Sequence, residues 1–235
     1  MRDFKIVFGG LGLGSVIAET ALRMGFETLH LVDGDVVELS NLNRQNYTQS
    51  DIGKPKAVAL FERLKRINPN ANITYANVFL TAENLAEHLD GANVAVNAID
   101  FTSDAPLIFD DICMTKNIPV VHPYNLGFSG LACVMTKENA DLRSLSKTSE
   151  GMEIHVVNHV LNVLDKHNAD TRVLKNALVN YVNEQGTKQP PQLSVASWLL
   201  GGLCTDIFLK ILKNEQISVF PEFYYVNSNL NQFKL

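Results

Sequence analysis

"FKIVFGGLGLGSVIAETALRM", residues Phe4 to Met24, decides how the rest of this chain is read. Its first six residues form a short apolar run closed by glycine, which suits a buried strand. Ser15 to Met24 then carries apolar residues at helical spacing. Between the two lies a loop of glycines. Glycine lets the backbone approach a ligand's oxygens closely, and the start of a helix offers unpaired N–H groups with a partial positive charge. Strand, glycine loop and helix in that order are the context a phosphate-cradling turn requires. Gly10, Gly12 and Gly14 are therefore candidate phosphate-loop residues, with Ser15 standing where the third glycine of a G-x-G-x-x-G would fall.

The pattern repeats outward from this unit. "TLHLVD" reads as a second strand, and from Lys56 the apolar positions Ala57, Leu60, Phe61, Leu64 and Ile67 follow a helical period that ends at "NPNAN". "ITYANV" is a third strand, "TAENLAEHL" a helix, "NVAVNAID" a fourth strand, Ser103 to Thr115 a helix, and "IPVVHPYN" a fifth strand. "GLACVMT" follows through the Gly127/Gly130 turn as a sixth strand that can run antiparallel. Strands alternating with helices predict an α/β, Rossmann-like fold: a mainly parallel sheet with helices on both faces and an antiparallel extension. Residues 1–135 would form the nucleotide-binding core, and residues 136–235 a less regular part completing the same domain. In that second part we expect helices over Glu153–His167, Arg172–Glu184 and Leu193–Lys213, a breaker at 185–192, and short strands around Ile217–Val219 and Phe223–Val226.

Composition narrows the function classes. The 235 residues are 46% hydrophobic and 19% charged, an ordinary globular balance, with a net charge of -5 and no Lys/Arg stripe for nucleic acid. Cys113, Cys133 and Cys204 are odd in number and far apart, which argues against a disulfide framework and suits a reducing cytoplasm. The N-terminal apolar run is too short for a signal peptide. The most apolar segment, Leu193–Lys213, is interrupted by Asp206 and Lys210 and reads as a buried helix rather than a membrane span.

Ligands of such sheets sit beyond the carboxyl ends of the strands, so the polar residues that follow strands carry the chemistry. The second strand runs into "DGDVVELSNLNRQ". Asp33 can accept hydrogen bonds from ribose hydroxyls, which serves NAD or ATP equally. Asp35 can cap the turn or assist a metal. A triphosphate needs cations where a nicotinamide does not. Arg44, a planar bidentate donor, and Lys56, a mobile point charge, meet that need, and Asn41 and Gln45 add neutral donors.

"VDGDVVELSNLNRQNYTQSDIGKPKA" resembles the signature of the ThiF/HesA/MoeB family, bacterial relatives of the ubiquitin-activating enzymes. Similarity extends through "NVAVNAID" and "NIPVVHPYNLGFSGLACVM", and more loosely through "SVASWLLGGLCTDIFLKIL". The resemblance implies an ATP-dependent adenylyltransferase that activates the C-terminal carboxylate of a small ubiquitin-like or sulfur-carrier protein, or of a peptide, and works as a homodimer. It implies that Asp33 holds the ATP ribose, that Asn41, Arg44 and Gln45 contact phosphates, and that Lys56 binds the β- and γ-phosphates. Asp100, closing the fourth strand, matches the family's Mg²⁺-linked aspartate. Mg²⁺ takes one or two carboxylates plus phosphate oxygens, which a strand-end aspartate opposite the glycine loop can supply.

The chain departs from the family in several places. Leu11 occupies the third position of the usual G-x-G-G-x-G-S loop. Many members carry an N-terminal helical extension whose arginine reaches the nucleotide, and another arginine soon after the Mg²⁺-linked aspartate; this sequence reaches its first strand at once and reads "IDFTSDAPLIF". Both zinc-binding CxxC pairs are missing, so no structural zinc is expected. The three cysteines read as buried thiols rather than thioester nucleophiles. His155 and His159, four apart, lack a third ligand; Asp110 and Asp111 read as solvated helix charges; Trp198–Leu200 and Leu203 read as core or dimer interface. Two alternatives stay open: an NAD(P)-dependent oxidoreductase, which leaves Arg44, Gln45 and Lys56 without roles, and a non-catalytic nucleotide-binding relative.

Overall fold

The computed structural model describes residues 1–167, 171–172, 174–175, 178–179 and 192–228. In chain order its elements are β1 (Lys5–Gly9), α1 (Leu13–Met24), β2 (Thr28–Val32), α2 (Lys56–Ile67), β3 (Asn72–Ala76), α3 (Leu85–His88), β4 (Val94–Asn97), α4 (Ala105–Thr115), β5 (Val120–Leu126), β6 (Ser129–Met135), α5 (Met152–Lys166), α6 (Ser194–Leu212) and β7 (Tyr224–Asn227). One sheet joins the strands in the order β3-β2-β1-β4-β5-β6-β7. Strands β1 to β5 are mutually parallel, and β6 and β7 are antiparallel additions. The chain winds from β1 outward through β2 and β3, then returns to lay β4 on the other side of β1. That reversal leaves a crevice beyond the carboxyl ends of β1 and β4, where ligands of doubly wound sheets bind.

Strand alternation sorts the core into two sides. Ile6 and Phe8 of β1, Val94 and Val96 of β4, and Ala132 and Val134 of β6 face α1, α2 and α6 in one cluster. Val7, Ala95 and Val120 face α3 and α4, while Leu131, Cys133 and Met135 face α5. Helices therefore cover both faces, as the alternation predicts. Phe26 and Phe8 each meet the ring of Phe208 edge-on, tying α6 to the centre of the sheet. Gly201 lets α6 lie directly on α1: a Cβ there would come within 2.7 Å of the Thr20 hydroxyl.

Helix α6 is long and apolar enough to cross a bilayer, yet it lies on the sheet with Ala196, Leu200, Cys204, Ile207 and Phe208 fully buried. Trp198 on the same helix is 53% exposed, so it is not a core residue, whereas Leu200 is. The expected strand at Ile217–Val219 is irregular chain, because its backbone joins no ladder; the next strand forms at Tyr224–Asn227 against β6. The helix expected in "TAENLAEHL" shortens to Leu85–His88. Of the helix expected over Arg172–Glu184, residues 172, 174–175 and 178–179 are described and are helical. The breaker at 185–192 lies outside the described residues except for Gln192.

Candidate functional site

The carboxyl ends of β1, β2, β4 and β5 open into a cavity of ≈ 970 Å³. Among its walls are nine of the ten sequence-predicted site residues: Gly10, Gly12, Asp33, Asp35, Asn41, Arg44, Gln45, Lys56 and Asp100. The tenth, Gly14, lies inside α1 and is buried against Leu11 and Phe8, away from the cavity. A Cβ added there would meet Leu11 and Phe8 only at 3.8 Å, an ordinary contact.

The glycine loop is held by backbone contacts at both ends. Gly10 adopts φ 86°, its N–H donates to the Val32 carbonyl at 3.0 Å, and Ala98 N–H donates to Gly9 O at 2.8 Å. Leu11, the residue in place of a family glycine, turns its side chain fully into the core. Its N–H donates to Asp33 Oδ2 at 2.6 Å, and its carbonyl accepts the Tyr47 hydroxyl at 2.8 Å. Ser15, in place of the third glycine, is buried and donates its hydroxyl to Gly12 O at 2.7 Å while accepting from Asn46 N–H at 3.0 Å. Both departures are built into the packing around the loop.

Asp33 Oδ1 accepts a second backbone bond, from Asp35 N–H at 2.8 Å. A carboxylate has about four acceptor positions, so two remain for a ligand. Burial raises the pKa of Asp33, and the nearby Lys56 charge with these two N–H donors opposes the rise. The segment after Asp33 folds back on itself through a bridge between Val36 and Pro55 and bonds from Val37 N–H to Lys54 O and Lys56 N–H to Asp35 O, each 2.9 Å. This closure sets Lys56, the first residue of α2, under the loop, with Nζ 2.9 Å from Asp35 Oδ2.

Arg44 is fixed from three directions. Nε donates to Gln192 Oε1 at 2.7 Å, and Nη1 donates to Ser40 O at 2.8 Å and Asn43 Oδ1 at 2.9 Å. Burial lowers its pKa and the facing charge of Asp100 opposes this. Asp100, three residues beyond β4, has its pKa raised by burial, and Asp35 adds to the rise while Lys56 and Arg44 counter it. Gln45 leaves its Oε1 buried without a partner among the described residues. Asn41 spends its Oδ1 on Glu38 N–H at 2.9 Å, closing a short turn, and its Nδ2 reaches only Ser40 Oγ at 3.5 Å. Asp33, Asp35 and Asp100 thus line the same cavity as Arg44 and Lys56. The mutual repulsion of Asp35 and Asp100 is the condition a divalent cation relieves. Lys56, Arg44 and the half-filled Asp33 are the groups able to hold phosphates and a ribose. No group of three or more His, Cys, Asp or Glu able to hold a metal occurs among the described residues, and Mg²⁺ beside a phosphate needs fewer.

The same cavity extends past Asp100 to Glu153 and to three residues without a role in the sequence analysis: Asn97, His122 and Tyr124. Asp110 belongs with them. It is not a solvated helix charge but is 4% exposed, because α4 turns it toward the sheet, where it meets His122 of β5 at 2.8 Å and Asn97 of β4 at 2.9 Å. Asp111, one residue on, does face solvent, paired with Arg143. The available signal was "VHPYN", which sets polar residues on one face of a strand that the fold buries. Gln192, the anchor of Arg44, stands 148 residues away in sequence and had no local signal. His155 is exposed, and His159 bonds the Pro221 carbonyl at 2.8 Å, so these two do not converge on a metal. All three cysteines are buried and free; burial pushes the Cys133 and Cys204 thiols up to about 12, which disfavours a nucleophilic thiolate.

A sequence model of the ThiF family matches residues 2–235. The sulfur carrier protein ThiS adenylyltransferase of Bacillus subtilis is 36% identical over 129 residues, covering 54% of this chain and 38% of that protein. The tRNA threonylcarbamoyladenosine dehydratase of Escherichia coli is 33% identical over 117 residues, covering 49% of this chain and 43% of that protein. The chain therefore spans about two fifths of the length of each of these curated relatives. Among solved structures, Escherichia coli MccB with ATP superposes with a TM-score of 0.69 over 97% of this chain and 64% of that one; at 16% identity the likeness is one of fold.

Proposed function

The chain belongs to the ThiF family, and on that premise we propose that it uses ATP to adenylate the C-terminal carboxylate of a small ubiquitin-like or sulfur-carrier protein or a peptide. The observation that carries the reading is the convergence of Lys56, Arg44, Asp33 and Asp100 with Gly10 and Gly12 around one cavity. A nicotinamide cofactor uses the loop and Asp33 but leaves the two cations and Asp100 without work. Similarity to the sulfur carrier protein ThiS adenylyltransferase supports the acceptor class.

In this reading the acceptor carboxylate attacks the α-phosphate in line and pyrophosphate leaves. A carboxylate is ionised at neutral pH, so positioning and charge neutralisation supply the rate. Lys56 carries a mobile charge for the β- and γ-phosphates, Arg44 offers the guanidinium edge not used on Gln192, and Asn41 and Gln45 complete the phosphate wall. Asp33 accepts ribose hydroxyls with its remaining lone pairs. Asp100, with Asp35 close by, would hold Mg²⁺, which supplies neutralisation of the departing pyrophosphate. We further propose a cytoplasmic setting, supported by three free buried thiols, and a homodimer.

ATP–pyrophosphate exchange tests the reading, with a ThiS-type carrier ending in Gly-Gly as acceptor. Lys56→Ala and Asp100→Ala are each expected to lower exchange by roughly 10²–10³ while retaining the folded state by circular dichroism. Near-normal exchange in both variants refutes it. Thermal shift separates the nucleotides: ATP·Mg at 100 times its Kd stabilises by about 2.7 kcal/mol, and NAD(H) is expected to give no shift.

A further inference from the structure

Adenylation consumes an ionised carboxylate and moves no proton, yet the lobe of the cavity beyond Asp100 holds an acid–base pair. Asp110 Oδ1 lies 2.8 Å from His122 Nε2 and accepts Asn97 Nδ2 at 2.9 Å. Asn97 is itself pinned by a 2.8 Å bond to the Pro106 carbonyl. Asn97, Asp110 and His122 are 3%, 4% and 1% exposed. A carboxylate accepting from Nε2–H fixes the imidazole tautomer and leaves Nδ1 as the basic nitrogen, the arrangement by which an aspartate prepares a histidine to take a proton. His122 and Asn97 line the cavity together with Tyr124 and Glu153, and the rings of His122 and Tyr124 stack at 6.4 Å.

The cluster is also short of hydrogen-bond donors. Asn97 Oδ1, Asp110 Oδ2 and the Tyr124 hydroxyl oxygen are buried with no partner among the described residues. The first can only accept, the second only accepts when ionised, and buried polar atoms are rarely left so. A group bearing several N–H hydrogens answers that shortage; a thiol, with one weak S–H, does not.

We propose that His122, oriented by Asp110 and Asn97, is the general base for a second step in this cavity, transfer of the activated acyl group to an amine. The inference rests on the adenylation reading above. The amine nitrogen attacks the acyl carbonyl of the acyl-adenylate and a C–N bond forms. The nitrogen's proton passes to His122 Nδ1. The bond from the carbonyl carbon to the phosphate oxygen breaks, its electron pair leaves on AMP, and the product is an amide. Asp110 faces the imidazolium while it lasts.

The test follows the two half-reactions separately in the full chain, with ATP, Mg²⁺ and a ThiS-type carrier ending in Gly-Gly. ATP–pyrophosphate exchange reads the first. The second is read by mass spectrometry as discharge to glycinamide, which needs a base, and to hydroxylamine, a nucleophile largely unprotonated at neutral pH that needs none. His122→Gln is expected to keep exchange within about twofold and lose discharge to glycinamide by roughly 10²–10⁴, with discharge to hydroxylamine unchanged. Asp110→Asn, which preserves shape, is expected to show the same split and decides the matter if His122→Gln loses exchange through misfolding. Equal glycinamide discharge in wild type and variants overturns the proposal, as does wild-type discharge no faster than in solution. Absence of exchange in the wild type overturns the adenylation reading, and this proposal with it.

Discussion

Replacing Gly10 by alanine puts the geometry of the crevice to a quantitative test. At φ 86° an L-residue is strained, by about 1–2 kcal/mol. Space adds to the strain. The new Cβ would lie 2.3 Å from the Ala98 carbonyl oxygen and 3.0 Å from Ile99 N. Both are backbone atoms, and Ala98 is already tied to Gly9 by a 2.8 Å bond. No rotamer relieves the contact, so the ends of β1 and β4 must part, an overpacking that typically costs about 1–3 kcal/mol. The sum is roughly 2–5 kcal/mol, a large share of the ~5–15 kcal/mol that holds a domain together. At roughly 2–4 °C per kcal/mol for a chain of this size, Tm should fall by about 4–20 °C. Gly53→Ala is the internal control. Its φ is 83° but nothing lies within 4 Å of the added carbon, so only the strain, about 1–2 kcal/mol, should appear. Urea unfolding and thermal melts of both variants, without ligand, measure the difference. If Gly10→Ala costs no more than Gly53→Ala, the close approach of the two strand ends is refuted.

Leu11→Gly restores the family's loop pattern but empties a fully buried site; it should cost about 3–5 kcal/mol in urea unfolding with no gain in ATP affinity by calorimetry. His30 has its pKa lowered from 6.5 to about 4, first by burial and then by the charges of His88 and Lys5. Between those values the unfolded chain binds more protons than the folded one, so stability rises with pH through this window. The contribution is complete above pH 6.5 and is lost as pH falls through about 4, by on the order of 1–2 kcal/mol after allowance for solvent screening. His30→Gln should flatten that part of the stability–pH curve in equilibrium unfolding, and an unchanged curve refutes the assignment.

The order of elements was legible because its causes are local. Short apolar runs bounded by turn residues read as strands, the period from Ala57 to Ile67 reads as a helix, and glycines between strand and helix mark the loop. The charge of "DGDVVELSNLNRQ" likewise pointed to the cavity mouth, since residues just after a parallel strand must lie at its carboxyl edge. Asp110 and Asp111 mark where this ends. They are adjacent, identical in chemistry and on one helix, so no periodicity says which is buried; the setting of α4 against β5 gives one to His122 and the other to solvent. Arg44 shows the same limit. Its charge could be read, but its aim depends on Gln192, which only the packing of α6 and the chain before it brings near. Local chemistry determined what each segment becomes and which end of the sheet is reactive. Long-range packing decided which polar side chains lose their water, and with it which of them can hold a ligand or a proton.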